Sequence, residues 1–322
     1  MLYYPPLGHR PQDGTSGRIL MLEGGHLMRA RRVIFAAVTA ALVVTALGTG
    51  CGGGGGVDIT VDTPVSLERS FTEGRTIKYD FKLGSQSGVK LTAYEQTVYT
   101  QTELRTQNTF TSVTPEEATM RMLINHAAGS MSVGDNVMVD ETVSELRAQE
   151  LEFTIASDGE ITSWSGLGSS EYLEAGAGQL AVLLYDVFPP FPDEPLDIGT
   201  TWTVDYDVPD LSAAVDRDFL GETTFTVTGF KRKFLVDCVV IHRVTDFTFE
   251  GRAEQEGQVW LMDGDGSIKG DSYIALEDGM LVYSAAEMNL TLMGEGSSVA
   301  GAAASDVVEM GIVASMHIEL GE

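Results

Sequence analysis

Val308, Met310, Ile312, Ala314, Met316, Ile318 and Leu320 occupy every second position of one unbroken stretch near the C-terminus. Alternation held that long puts seven apolar side chains on one face of an extended strand; no helix can do so. The same period of two follows Gly74, at Ile77, Tyr79, Phe81 and Leu83, and follows Gly199, at Trp202, Val204, Tyr206 and Val208. Asp158-Gly159 and Asp278-Gly279, each before a further apolar run, are hairpin signals. The Gly pair is offset by 125 residues and the Asp-Gly pair by 120. An internal duplication of about 120 residues follows from two offsets so close.

Most of the chain between these landmarks is rich in β-branched and aromatic residues. The first half predicts strands over Thr92–Arg105, Ala118–Ile124, Val137–Glu145 and Glu150–Ala156. The second predicts them over Glu222–Phe230, Val236–Glu250, Gln258–Met262, Ser272–Leu276, Met280–Met293 and Val307–Leu320. Gly129–Gly134 reads as a turn, Asp263–Ser267 as an acidic hairpin turn and Ser297–Ser305 as a small-residue loop. One principal helix is predicted over 170–187 and stopped by Pro189-Pro190-Phe191-Pro192. The expected fold is all-β with that helix. A long antiparallel meander curls into a half-barrel, built from two repeats (74–168 and 199–322) within a single domain, 67–322. A sheet of ten or more strands twists and tends to curl. Its inner face would be lined by Met288, Met310, Ile312 and Met316, with Val282, Leu290 and Val308. Thioethers and small residues there read first as core filler under a large sheet, with an adaptable apolar pocket as the alternative.

The N-terminal region sets the address. Met28-Arg-Ala-Arg-Arg32 is a positive segment, Val33–Leu47 an uncharged apolar run, and Gly48-Thr49-Gly50 a small-residue site that ends at Cys51. That order is the one of a secretory signal. It resembles the lipobox of bacterial lipoproteins, although Gly48 stands where that motif carries Leu. The resemblance implies diacylglycerol on Cys51 as the mature N-terminus. The alternative is a membrane-spanning helix over Val33–Gly50. At 18 residues it is barely long enough, and it runs into five glycines that no helix would keep. Residues 1–27 fit neither scheme and are expected to be a mis-assigned start. Residues 28–51 are then signal and lipobox, and 52–66 a glycine-rich tether.

Cutting at Cys51 leaves 15 basic and 45 acidic residues, a net charge of −30. So acidic a surface repels polyanions and excludes nucleic acid as a partner. Catalytic patterns are missing as well. His126, His242 and His317 stand in no HxH or HExxH context, and no nucleophile elbow or Walker A sequence occurs. His317 falls on the polar face of the last strand and reads as solvated. Asp263-Gly-Asp265-Gly-Ser267 lacks the Gly and Glu that a calcium loop needs, because Ile268 and Ile274 stand there. Cys238, in a strand context, reads as a buried structural thiol.

The mature chain resembles an uncharacterised family of bacterial lipoproteins. The resemblance rests on the lipobox with its glycines, the strand opening at Gly74, Asp158-Gly159, and Phe188-Pro-Pro-Phe-Pro192 followed by Asp197-Ile-Gly199-Thr-Thr-Trp202. By architecture alone it is also similar to LolA/LprG-type carriers, which implies an apolar concavity for acyl chains. The expectation is a non-enzymatic cell-envelope lipoprotein without cofactor or metal. It would be held to the membrane by acyl chains, facing the periplasm or the outer surface, and bind a lipid-like ligand. A structural lipoprotein with a filled core and an acidic face for an envelope protein is the alternative. Cys51→Ser is expected to release the chain from membranes as an unprocessed precursor. Retention of that variant after an alkaline wash would instead make the apolar segment the anchor.

Overall fold

A computed structural model describes residues 55–91, 94–166, 184–206, 216–255, 258–298 and 306–321. The signal, Cys51 and most of the predicted helix (170–183) lie outside them; residues 184–187 form one helical turn. The strands are β1 (Val57–Asp58), β2 (Thr76–Leu91), β3 (Tyr94–Val113), β4 (Glu117–Val133), β5 (Asn136–Val139), β6 (Glu150–Ala156) and β7 (Ile161–Ser165). They continue with β8 (Thr201–Tyr206), β9 (Asp216–Lys233), β10 (Val236–Gln255), β11 (Gln258–Ala275), β12 (Leu281–Ser298) and β13 (Asp306–Leu320). A short helix, α1 (Glu141–Glu145), lies between β5 and β6.

All thirteen strands form one antiparallel sheet that does not close into a barrel. Its order is β1-β9-β10-β11-β12-β13-β2-β3-β4-β6-β7, with β8 also on β9 and β5 also on β4. The chain therefore meanders twice. The two runs are joined where β13 pairs with β2, from Val308 opposite Leu91 to Leu320 opposite Tyr79. Inward residues of both runs share one core cluster, including Phe81, Leu104, Met122, Phe153, Phe225, Phe247, Met288 and Ile312. A single core reached from nearly every strand is the half-barrel expected of a large twisted sheet.

Both pairs of landmarks take the same local geometry. Gly74 and Gly199 have φ of 79° and 91°, a region that glycine enters without penalty. Gly74 donates to Phe110 O as Gly199 donates to Val227 O. In return Phe110 donates to Arg75 O, and Val227 to Thr200 O. At the Asp-Gly turns, the Asp158 and Asp278 carboxylates accept from the amides of Glu160 and Met280.

One end of the half-barrel is closed by chain that crosses it. Ile59 donates to Phe230 O, Val65 bridges Leu196, Ser70 donates to Asp278 O, and Arg75 pairs with Asp278 at 2.5 Å. Arg69 lies over the Phe191 and Phe188 rings, at 4.3 and 5.8 Å from their centroids, and donates to Pro189 O. Residues 57–66 are thus part of this closure, not of a free tether: β1 is already paired with β9.

Other segments also depart from their sequence reading. Val137–Glu145 splits into β5 and α1, because Asp140 accepts from the amide of Val143 and starts a helix. Gly129–Val133 continues β4, and the turn comes at Gly134. At Gly129 the missing side chain makes room for α1: a Cβ there would lie 2.8 Å from Val143 Cβ. Asp263–Ser267 is no turn but mid-strand in β11, its acids outward and its glycines inward.

Those glycines explain how the core holds its rings. Gly266 lies between Phe247 on β10 and Leu290 on β12, and Gly264 between Phe249 and Leu292. A Cβ on Gly266 would strike the tip of the Phe247 ring, and one on Gly251 would come within 2.7 Å of Phe249. Each ring points its tip into space that a glycine leaves free. Gly266→Val should therefore overpack and cost about 1–3 kcal/mol in urea unfolding. Phe247→Leu in the same chain should recover part of that loss, since the two sites share one space. Additive costs would show that the ring does not need the glycine.

Candidate functional site

The concave face is built by alternation on β12, β13 and β2. Met288, Met310, Ile312 and Met316 come together on it, 2%, 3%, 1% and 0% exposed. Met288 stands opposite Ala314, Leu290 opposite Ile312, and Leu292 opposite Met310. On the far side of β13, Leu83 faces Met316, Ser87 faces Ile312 and Val89 faces Met310. These exposures mean that the face is covered rather than open to solvent. Val308 and Leu290 also point inward as expected. Val282 does not: the register slips between Tyr273 and Ile274, and one residue of slip turns a side chain to the other face. Val282 packs with Cys238, Val240, Tyr273 and Tyr283 in a small second cluster.

The remainder of the inner face has two characters. Toward β8, β9 and β10 it is aromatic. Trp202 stacks on Phe225 at 5.2 Å, and Phe219 meets Phe249 at 5.1 Å and Phe247 at 5.7 Å. Several of the hydroxyls that point inward are matched to one another, and Asn108 donates to Thr106 while its Oδ1 stays buried without a partner. Thr223 and Thr245 are 2.9 Å apart, Ser85 and Thr100 2.7 Å, and Ser272 and Ser284 3.2 Å. A polar group so matched can be buried at little cost, and the surface stays effectively apolar.

One charged pair interrupts it. Arg243, on the inward parity of β10 between Phe225 and Gly270, meets Asp186 from the 184–187 turn; they are 4% and 2% exposed. Burial pulls the guanidinium down to about 10, and Tyr185 acts weakly in the opposite direction. The pair ties the closing segment to the sheet. Nothing singled it out in the sequence, although an Arg on the apolar parity of Ile241, Thr245 and Phe247 is the signal that could have.

The other candidates carry no chemistry that can be read from their surroundings. Among the described residues no three His, Cys, Asp or Glu side chains gather as metal ligands. Cys238 is buried beside Val236 O, and burial pushes its thiol up to about 12, which leaves almost no thiolate at neutral pH. His317 is not solvated as its parity suggested. It is half-buried with its ring 4.8 Å from Tyr283, and burial lowers its pKa. His242 pairs with Asp271 at 2.8 Å on the surface. A cavity of about 320 Å³ lies on the convex side, lined by Gly84, Gln86, Tyr99, Gln101, Ser130 and Ser132. Its lining is mixed, with Tyr99 and Val137 beside the serines and glutamines.

No family model and no curated protein matches the chain. Solved structures are similar in backbone arrangement. A structure of lipid–protein interactions in lipovitellin has a TM-score of 0.46 at 12% identity over 79% of this chain. This chain spans about a quarter of that one (26%). OccK5 (OpdH) of Pseudomonas aeruginosa has a TM-score of 0.26 at 7% identity, covering 77% of this chain and 98% of its own. An outer membrane channel of Pseudomonas putida F1 has 0.24 at 7% identity, covering 82% and 100%.

Removing one partner of the buried pair leaves the other charge uncompensated. Arg243→Met should therefore cost about 3–5 kcal/mol in urea unfolding, and adding Asp186→Leu should restore most of it. A mild single variant would mean that Asp186 reaches water.

Proposed function

We propose that this chain is a non-enzymatic cell-envelope lipoprotein, anchored through acyl chains on Cys51, whose half-barrel takes up a hydrophobic, lipid-like ligand. The observation that carries the ligand reading is the inner face itself. It is apolar over most of both meanders, interrupted by the Arg243–Asp186 pair, and several of its hydroxyls are satisfied by one another. Its methionines on β12 and β13 stand opposite alanine and leucine on the same face, and flexible thioethers there can adjust to a guest. The anchor reading rests on the Met28–Cys51 pattern. The matching hydrogen bonds at Gly74 and Gly199, and at the two Asp-Gly turns, support a duplication as the origin of the two meanders.

One observation favours the second reading, a structural lipoprotein with a filled core. The four candidate lining residues are at most 3% exposed, so a ligand must displace something to reach them. Ile312→Trp separates the two. If the face is a site, a fluorescent fatty-acid probe binds the wild type, and the variant loses the probe with only a small change in melting temperature. If the face is a filled core, the wild type ignores the probe, and the variant is overpacked by about 1–3 kcal/mol.

A further inference from the structure

The β9–β10 hairpin is the most conspicuous exposed apolar feature at the closed end. Lys233 pairs with Val236, so Phe234 and Leu235 alone form the turn. Phe234 is 54% exposed and Leu235 92%. Both have positive φ, 51° and 68°. Two-residue hairpins of this kind are made by Asn-Gly or Asp-Gly, because a Cβ is crowded at positive φ, which Gly avoids and Asn or Asp offset with local hydrogen bonds. Apart from the Lys233 ammonium 5.1 Å over the Phe234 ring, no contact is seen among the described residues that the fold gains from a Phe and a Leu at these exposed positions, so their presence points to a task outside the fold.

The surroundings of the tip name the partner. Lys231, Arg232 and Lys233 precede it directly, three of only 15 basic residues in a mature chain of net charge −30. Arg232 is held by Asp237 at 2.5 Å, and Lys231 stands 3.7 Å from Asp58. Lys233 lies 3.9 Å over the Tyr283 ring and 5.4 Å from that of Tyr273. Basic and tyrosine side chains behind an apolar point match the layers of a bilayer interface. The chain path agrees. β1 sets Val57 opposite Arg232, and Gly56 lies against Lys231 and Tyr273. Cys51 is six residues before Val57, so even a fully extended link keeps it within roughly 25 Å of Arg232. Acyl chains on Cys51 bring a bilayer to this hairpin.

We propose that the β9–β10 tip is a membrane wedge. Phe234 and Leu235 enter the outer acyl region of the bilayer that holds the Cys51 chains, and Lys231 and Lys233 lie at the phosphates. This rests on the anchor reading and fixes the closed end of the half-barrel against the membrane. The other end, where the β4–β5 turn lies, faces away from it.

The full chain, produced with its own signal, is reconstituted into phosphatidylethanolamine/phosphatidylglycerol vesicles as Leu235→Trp or Val137→Trp. Val137 is 75% exposed on β5, near the opposite end. The tryptophan emission added at 235 should be blue-shifted and lost in vesicles with brominated acyl chains, and that added at 137 should be unaffected. A chain that floats with the vesicles while position 235 stays unquenched overturns the wedge and keeps the anchor. That is also the result if the tip serves an envelope protein instead. Equal quenching at both positions overturns the orientation, and a chain that does not float overturns wedge and anchor together. Phe234→Asn with Leu235→Gly supplies the pair that this turn prefers, so its melting temperature should hold or rise. In vesicles, trypsin should cut the variant after Lys231–Lys233 faster than the wild type; equal rates would contradict the wedge.

Discussion

The pairing of β13 with β2 is what the rest of the molecule depends on. Each meander alone is a sheet of modest width with one apolar face, and among the described residues no element large enough to cover it is seen. Thirteen opposed residue pairs between the last strand and the first long one merge the two into a single sheet. That sheet is wide enough for its twist to become curvature, and curvature turns the apolar face inward on itself. Lys82 and Lys90 pair with Glu319 and Glu309 along the outside of the seam. Such exposed pairs add little, so the seam is held by its backbone ladder and by Phe81, Leu83 and Val89 against Ile318, Met316 and Met310.

Curvature demands a matching distribution of volume. Inward glycines make room for the large rings of β10: Gly266 on β11 for Phe247 and Gly251 on β10 for Phe249. On β12 and β13, where no rings stand, methionine and branched aliphatic residues take over. The closed end is handled differently. Arg69 under two phenylalanine rings, Arg75 on Asp278 and the buried Arg243–Asp186 pair fasten the crossing chain at set points. Buried ion pairs are costly to desolvate but severe on misplacement, which suits segments that have little regular structure of their own.

Strand parity was legible wherever a strand is buried on one side only. Residues 77–83, 202–206 and 308–320 face as their alternation says, and the inner-face residues on β12 and β13 do too, apart from Val282. That exception comes from a bulge, which period-two reading cannot see. Asp263–Ser267 misleads because Gly and Asp are turn residues in general, while here the glycines answer to rings on the neighbouring strand. The seam of β13 on β2 and the Arg243–Asp186 contact join residues far apart in the chain, and no local pattern encodes a partner at that distance. The same is true of residues 57–66, whose composition suggests a tether and whose β1 is nonetheless paired.

The central claim is that the inner face receives a guest. The most direct measurement is mass spectrometry of an organic extract of the intact chain, purified from its membrane in a detergent distinct from any lipid. The account predicts a hydrophobic species in stoichiometric proportion to protein, depleted in Ile312→Trp. Only trace lipid, equal in the wild type and the variant, would contradict it and leave a filled core in its place.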